Sequence, residues 1–101
     1  MKAVIRGLSL VLPLLVASGG ALADAGEDVY NRACKKCHRT GIDDAPVAGD
    51  KAAWAKLIEK GDAELLKSVI EGKGQMDPRA GKDLSDEECK AGLDYMLKLV
   101  R

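Results

Sequence analysis

Apolar residues recur at helical spacing in four separate stretches of the chain, and nowhere do they alternate with period two for long enough to make a strand. Val29, Tyr30 and Ala33 give a stretch near Glu27 to His38 an apolar side, with Asp24, Glu27 and Asp28 at the end where the helix dipole is positive. Trp54, Leu57 and Ile58 share one face of Lys51 to Lys60, opened by Asp50 as an N-cap and closed by Gly61. Leu65, Leu66, Val69 and Ile70 make the stripe of Ala63 to Glu71, with Asp62 expected as cap and Gly72 as stop. The fourth stretch, Asp86 to Val100, follows a Ser85/Glu88 capping box, and Cys89, Leu93, Met96, Leu97 and Val100 fall on one face. The pattern predicts an all-α domain. Two segments break it: Arg39 to Gly49 around Pro46, and Lys73 to Gly81, where Met76 sits among Gly and Pro.

The N-terminus reads differently. Lys2 and Arg6 precede an apolar run from Leu8 to Ala17, followed by Gly19-Gly20 and Ala21-Leu22-Ala23, which is the grammar of a secretory signal removed before Asp24. The run is shorter than the ~20 residues a spanning helix needs, and Pro13 interrupts it, so stable membrane insertion is not expected. Residues 24–101 then form one small domain. Acidic and basic residues balance at sixteen each over the full chain, and Lys2 and Arg6 lie in the leader, so the domain is slightly acidic. It has no basic excess with which to bind nucleic acid. A domain this small, without Phe, buries too little apolar surface to be comfortably stable alone, and a bound apolar group would supply the missing core.

Cys34-Lys35-Lys36-Cys37-His38 is where that group belongs, since two thiols three apart with a histidine behind the second form the attachment signature of a c-type haem. Each thiol adds to one haem vinyl, and the next residue can swing an imidazole over the iron. A zinc site would need a fourth ligand, and only Cys89 remains. A dithiol redox pair would want a strand ahead of the motif, and none is predicted.

An iron held by His38 has a sixth position, and the chain has no second histidine. Met1 leaves with the leader, Met96 lies on the last apolar stripe, and Met76 sits in a loop where its sulfur can be aimed. Met76 is therefore the expected second axial ligand, because His/Met pairs are the ligation of cytochromes c. Such iron shuttles electrons and leaves no site for oxygen or peroxide.

With these pieces in place, the chain resembles the class I c-type cytochromes, and most closely the small bacterial cytochrome c-five group. The resemblance rests on Gly26 and Tyr30 ahead of the motif, Gly41 to Asp50 with Pro46, Lys51-Ala52-Ala53-Trp54, the Gly72 to Gly81 methionine loop, and Asp83 to Glu88 leading to Asp94-Tyr95-Met96. It implies about four helices around one covalent haem, with first and last helices crossing near Gly26/Tyr30 and Tyr95. It also implies that the Pro46 carbonyl holds the proximal imidazole and that Trp54 lies against the haem near its propionates. Asp77 stands where the family often has a proline, and Cys89 where an aliphatic residue is usual; on an apolar stripe, Cys89 reads as a small buried hydrophobe.

The function expected is that of a soluble, monomeric, periplasmic electron carrier and not an enzyme, cycling one haem c iron between redox donor and acceptor proteins. The alternatives are a haem enzyme or gas sensor with open iron, and an electron-transfer subunit of a larger oxidoreductase. Lys35, Lys36, Arg39, Lys73, Arg79 and Lys82 flank the motif and the methionine loop, so a partner with an acidic docking patch is expected.

Overall fold

The computed structural model describes residues 25–101; the expected secretory signal, residues 1–23, lies outside them. Four helices carry the domain. Helix α1 covers 25–38, α2 Lys51–Ile58, α3 Asp62–Glu71 and α4 Asp86–Lys98, with short 3-10 turns at Ile42–Asp44 and Pro78–Gly81. Among the described residues the only β pairing is one isolated bridge, Lys73 with Met76.

The helix ends follow the local chemistry in two of three cases. Asp50 accepts from the Ala53 N–H at the start of α2, and Ser85 and Glu88 make the reciprocal capping box that opens α4. Asp62 does not cap α3: Gly61 occupies the N-cap position, Asp62 is already helical, and its carboxylate pairs with Arg101 instead. That long-range ion pair holds the C-terminus against the start of α3 and draws the Asp62 carboxyl below its ordinary range, the hydrogen bond from Arg101 being the main cause.

Helix α1 is not uniform. Tyr30–Cys34 is a π segment, with the Lys35 N–H bonded five residues back to the Tyr30 carbonyl. One residue is thereby inserted between Tyr30, which faces the core, and the motif, rotating the cysteines and histidine by about 100° from where an unbroken α-helix would put them.

The core is organised by the contact of α1 with α4. Tyr30, Trp54, Leu65, Leu93, Met96, Leu97 and Val100 form the main cluster, and Val29, Leu84 and Cys89 a second one beside it. Each such side chain contributes roughly 1.5–3 kcal/mol of burial. The helices approach closely because of Gly26 and Gly92: a Cβ on Gly26 would lie 2.7 Å from the Ala91 carbonyl oxygen, and one on Gly92 2.9 Å from Val29. Tyr30 and Tyr95 stack at 5.3 Å beside this contact, at the place the family resemblance implies.

The connection from α3 to α4 is tight and strained. Gly72 leaves α3 at φ 86°, ψ 158°, a region open to glycine alone. Lys73 and Met76 then exchange both backbone hydrogen bonds at 2.9 Å. Beyond Pro78, Arg79 (φ 55°) and Ala80 (φ 57°) are both left-handed, at a cost of about 1–2 kcal/mol for each residue bearing a Cβ.

Candidate haem attachment site

Cys34, Cys37 and His38 close the last turns of α1, all half-buried. The chain turns back after them. The Ala48 N–H donates to the His38 carbonyl at 2.7 Å, folding 39–48 over the end of the helix. His38 Nδ1 donates to the Pro46 carbonyl at 2.8 Å. Because a carbonyl only accepts, this bond places the proton on Nδ1 and leaves the Nε2 lone pair free for a metal.

Trp54 completes the support from below. Its side chain is 3% exposed, its indole N–H donates to the Val47 carbonyl at 2.9 Å, and its ring centroid is 6.1 Å from that of His38. Pro46, Val47 and Ala48 are thus fixed to His38 and Trp54 by three separate hydrogen bonds. A loop with no helical period becomes a rigid bracket for the imidazole.

Cys34 differs from a reactive thiol. Cys34 packs against the main apolar cluster and faces α4 at Gly92, where a Cβ would lie 3.4 Å from its sulfur. Burial pushes its pKa up to about 11, with a smaller contribution from nearby Cys89. A redox dithiol wants the opposite shift. Among the described residues, no three His, Cys, Asp or Glu side chains converge in a group that could hold a metal ion.

The two methionines of the described chain lie in opposite environments. Met96 is 3% exposed inside the main cluster, whereas Met76 is half-buried and belongs to neither cluster. The segment after Met76 returns to the attachment end, with Pro78–Gly81 packed against Tyr30–Cys34 as well as against α3.

Cys89 is 2% exposed, in the second cluster, with its thiol pKa raised by burial. Arg79, counted from sequence among the outward basic residues, instead turns back to α4, donating to the Leu84 carbonyl at 2.9 Å and pairing with Asp86 at 2.7 Å. No sequence pattern announced that contact.

The residues present fit a large flat apolar group. Leu57, Ile58 and Leu66 remain only partly buried around the main cluster, beside Cys34 and Ala48, and Val69 and Ile70 likewise around the second. In so small a domain these side chains leave apolar surface incompletely covered. Two hollows lie elsewhere, one of about 500 Å³ lined by Gly26, Ala91 and Tyr95, the other of about 280 Å³ between α3 and α4.

Residues 21–96 match the family described as cytochrome C oxidase, cbb3-type, subunit III. The chain is 38% identical over 97 residues to cytochrome c-555 of Chlorobaculum tepidum, a match covering 88% of this chain and 90% of that protein. It is 39% identical over 80 residues to cytochrome c5 of Azotobacter vinelandii, covering 76% and 96%. Among solved structures, a chain from the crystal structure of an electron transfer complex of nitrite reductase with cytochrome c superposes with a TM-score of 0.74 at 42% identity, covering 76% of this chain and 95% of that one.

Proposed function

Because this chain belongs to the cytochrome c family, in its small class I monohaem branch with covalently bound haem c, we propose that it is a soluble periplasmic electron carrier with His38 and Met76 as axial ligands. Cys34 and Cys37 would hold the haem through thioethers, and Pro46 and Trp54 would fix the proximal side. The bound haem supplies one-electron exchange at its iron. The protein's part is to hold both ligands in one geometry so that little rearranges when the charge changes.

The observation that carries this reading is the contrast between the methionines: Met96 is consumed by the core, and Met76 is left out of it in a segment that returns to the attachment end. A thioether in the sixth position closes the iron to small ligands and raises its potential. Met76→Ala is expected to leave the haem attached, open the iron and lower the potential by on the order of 0.1–0.3 V, within the ~0.8 V span that axial ligands command. Redox titration and the visible spectrum check this; if neither changed, the axial assignment would have to move to Met96.

The family description favours a second reading, an electron-transfer subunit of a larger oxidoreductase. The carrier reading is preferred because small cytochromes c-555 and c5 align with this chain over at least nine-tenths of their own length. No helix among the described residues is long and apolar enough to cross a membrane.

The partners are redox proteins, and the likeness to a chain from a nitrite reductase complex makes a soluble reductase one candidate acceptor. Lys35, Lys36, Arg39, Lys73 and Lys82 have no carboxylate partner among the described residues, while Arg79 is tied to Asp86. These five cations, which flank the motif and the methionine loop, are expected to steer an acidic partner. Stopped-flow association should slow severalfold as the Debye length falls from ~10 Å at 0.1 M salt to ~3 Å at 1 M; rates flat with salt would point to apolar docking.

A further inference from the structure

The strain in the α3–α4 connection lies three and four residues beyond Met76, at Arg79 and Ala80. Backbone bonds inside the turn, Ala80 N–H to Asp77 at 2.9 Å and Lys82 N–H to Arg79 at 3.0 Å, belong to the strained conformation and cannot by themselves explain why it persists. The turn packs on α3 and on Tyr30–Cys34, and one side chain ties it to the start of α4. Arg79 Nη1 donates to the carbonyl of buried Leu84, and Nη2 pairs with Asp86 in the first turn of α4. Leu84 is in turn part of the cluster with Val29 and Cys89, so the guanidinium anchors to fixed structure.

From this we propose that Arg79 is a positioning residue for the sixth ligand: it latches the left-handed turn to α4 and thereby holds the methionine loop closed, keeping the Met76 sulfur on the iron. The inference rests on the His38/Met76 reading above. The two anchors differ in weight, because Asp86 is well exposed and its pair is screened, whereas the Leu84 carbonyl lies in partly buried surroundings where an arginine donor counts for more. Lysine at 79 could not serve both acceptors with one planar fork.

Exogenous imidazole reads the latch directly, since it binds ferric holoprotein only when Met76 has left the iron, and its apparent affinity scales with the open fraction. Arg79→Ala is expected to strengthen apparent imidazole binding about tenfold, with Arg79→Lys in between. Ala80→Gly, which relieves the strain the latch works against, should weaken imidazole binding and reduce the effect of Arg79→Ala when the two are combined. Thermal unfolding of the same holoproteins runs alongside. A lower melting temperature in Arg79→Ala with unchanged imidazole affinity would make Arg79 merely structural and overturn the proposal. Wild-type ferric protein must show the red sulfur-to-iron charge-transfer absorption; if that band is present and Arg79→Ala leaves affinity unchanged, the latch alone fails. If the band is absent, the Met76 reading fails and takes the latch with it.

Discussion

His38→Ala is expected to give no stable six-coordinate holoprotein. The substitution removes the proximal ligand and also the Nδ1–H bond to the Pro46 carbonyl, so the bracket formed by 46–48 keeps only the backbone bond from Ala48 to residue 38 as its tie to α1. Loss of a partner that only supports a metal ligand commonly costs 10–100-fold, and loss of the ligand itself should cost at least that much in yield of haem-bearing protein. Haem staining after denaturing electrophoresis, with the visible spectrum of the purified protein, measures both effects. Normal yield with an unchanged spectrum would remove His38 from the iron.

Gly72→Ala is expected to carry the second largest penalty, although Gly72 has no side chain with which to bind the haem. Its backbone, φ 86° and ψ 158°, costs a non-glycine residue about 1–3 kcal/mol. The new Cβ would also stand 2.9 Å from both the Met76 carbonyl oxygen and the Pro78 nitrogen, backbone atoms on either side of Asp77. Relieving that overlap costs about 1–3 kcal/mol more. Together these are a large part of the roughly 5–15 kcal/mol that stabilises a typical domain. Denaturant unfolding of the holoprotein should show the loss, accompanied by weakening of the sulfur-to-iron absorption as Met76 is displaced. A variant as stable as wild type would mean that the loop reaches Met76 by another path.

The four helices were legible because each is announced by local chemistry. Ser85 and Glu88 open α4, Asp50 opens α2, and Cys89, Leu93, Met96, Leu97 and Val100 are all buried as their spacing implies. The haem motif was legible for the same reason, its chemistry being local to five residues. What was not legible depends on distant partners. Asp62 looks like a cap, but Gly61 takes the position and Arg101 takes the carboxylate. The π segment at Tyr30–Cys34 has no signature in its residues; it occurs where α1 packs on α4 and must also present the motif. Arg79 reads as one more surface cation until the left-handed turn brings it to Leu84 and Asp86. The loop around Pro46 has no periodicity, yet it is among the better tethered parts of the site, because its restraints are side chains from elsewhere reaching its carbonyls.

The central claim is that Met76, and not Met96, completes the iron's coordination opposite His38. The visible absorption of the ferric protein at neutral pH tests it most directly when wild type, Met76→Ala and Met96→Leu are compared. The sulfur-to-iron band should be present in wild type, absent in Met76→Ala and retained in Met96→Leu, whose side chain only fills the core. A band missing from wild type, or surviving in Met76→Ala, would contradict the account.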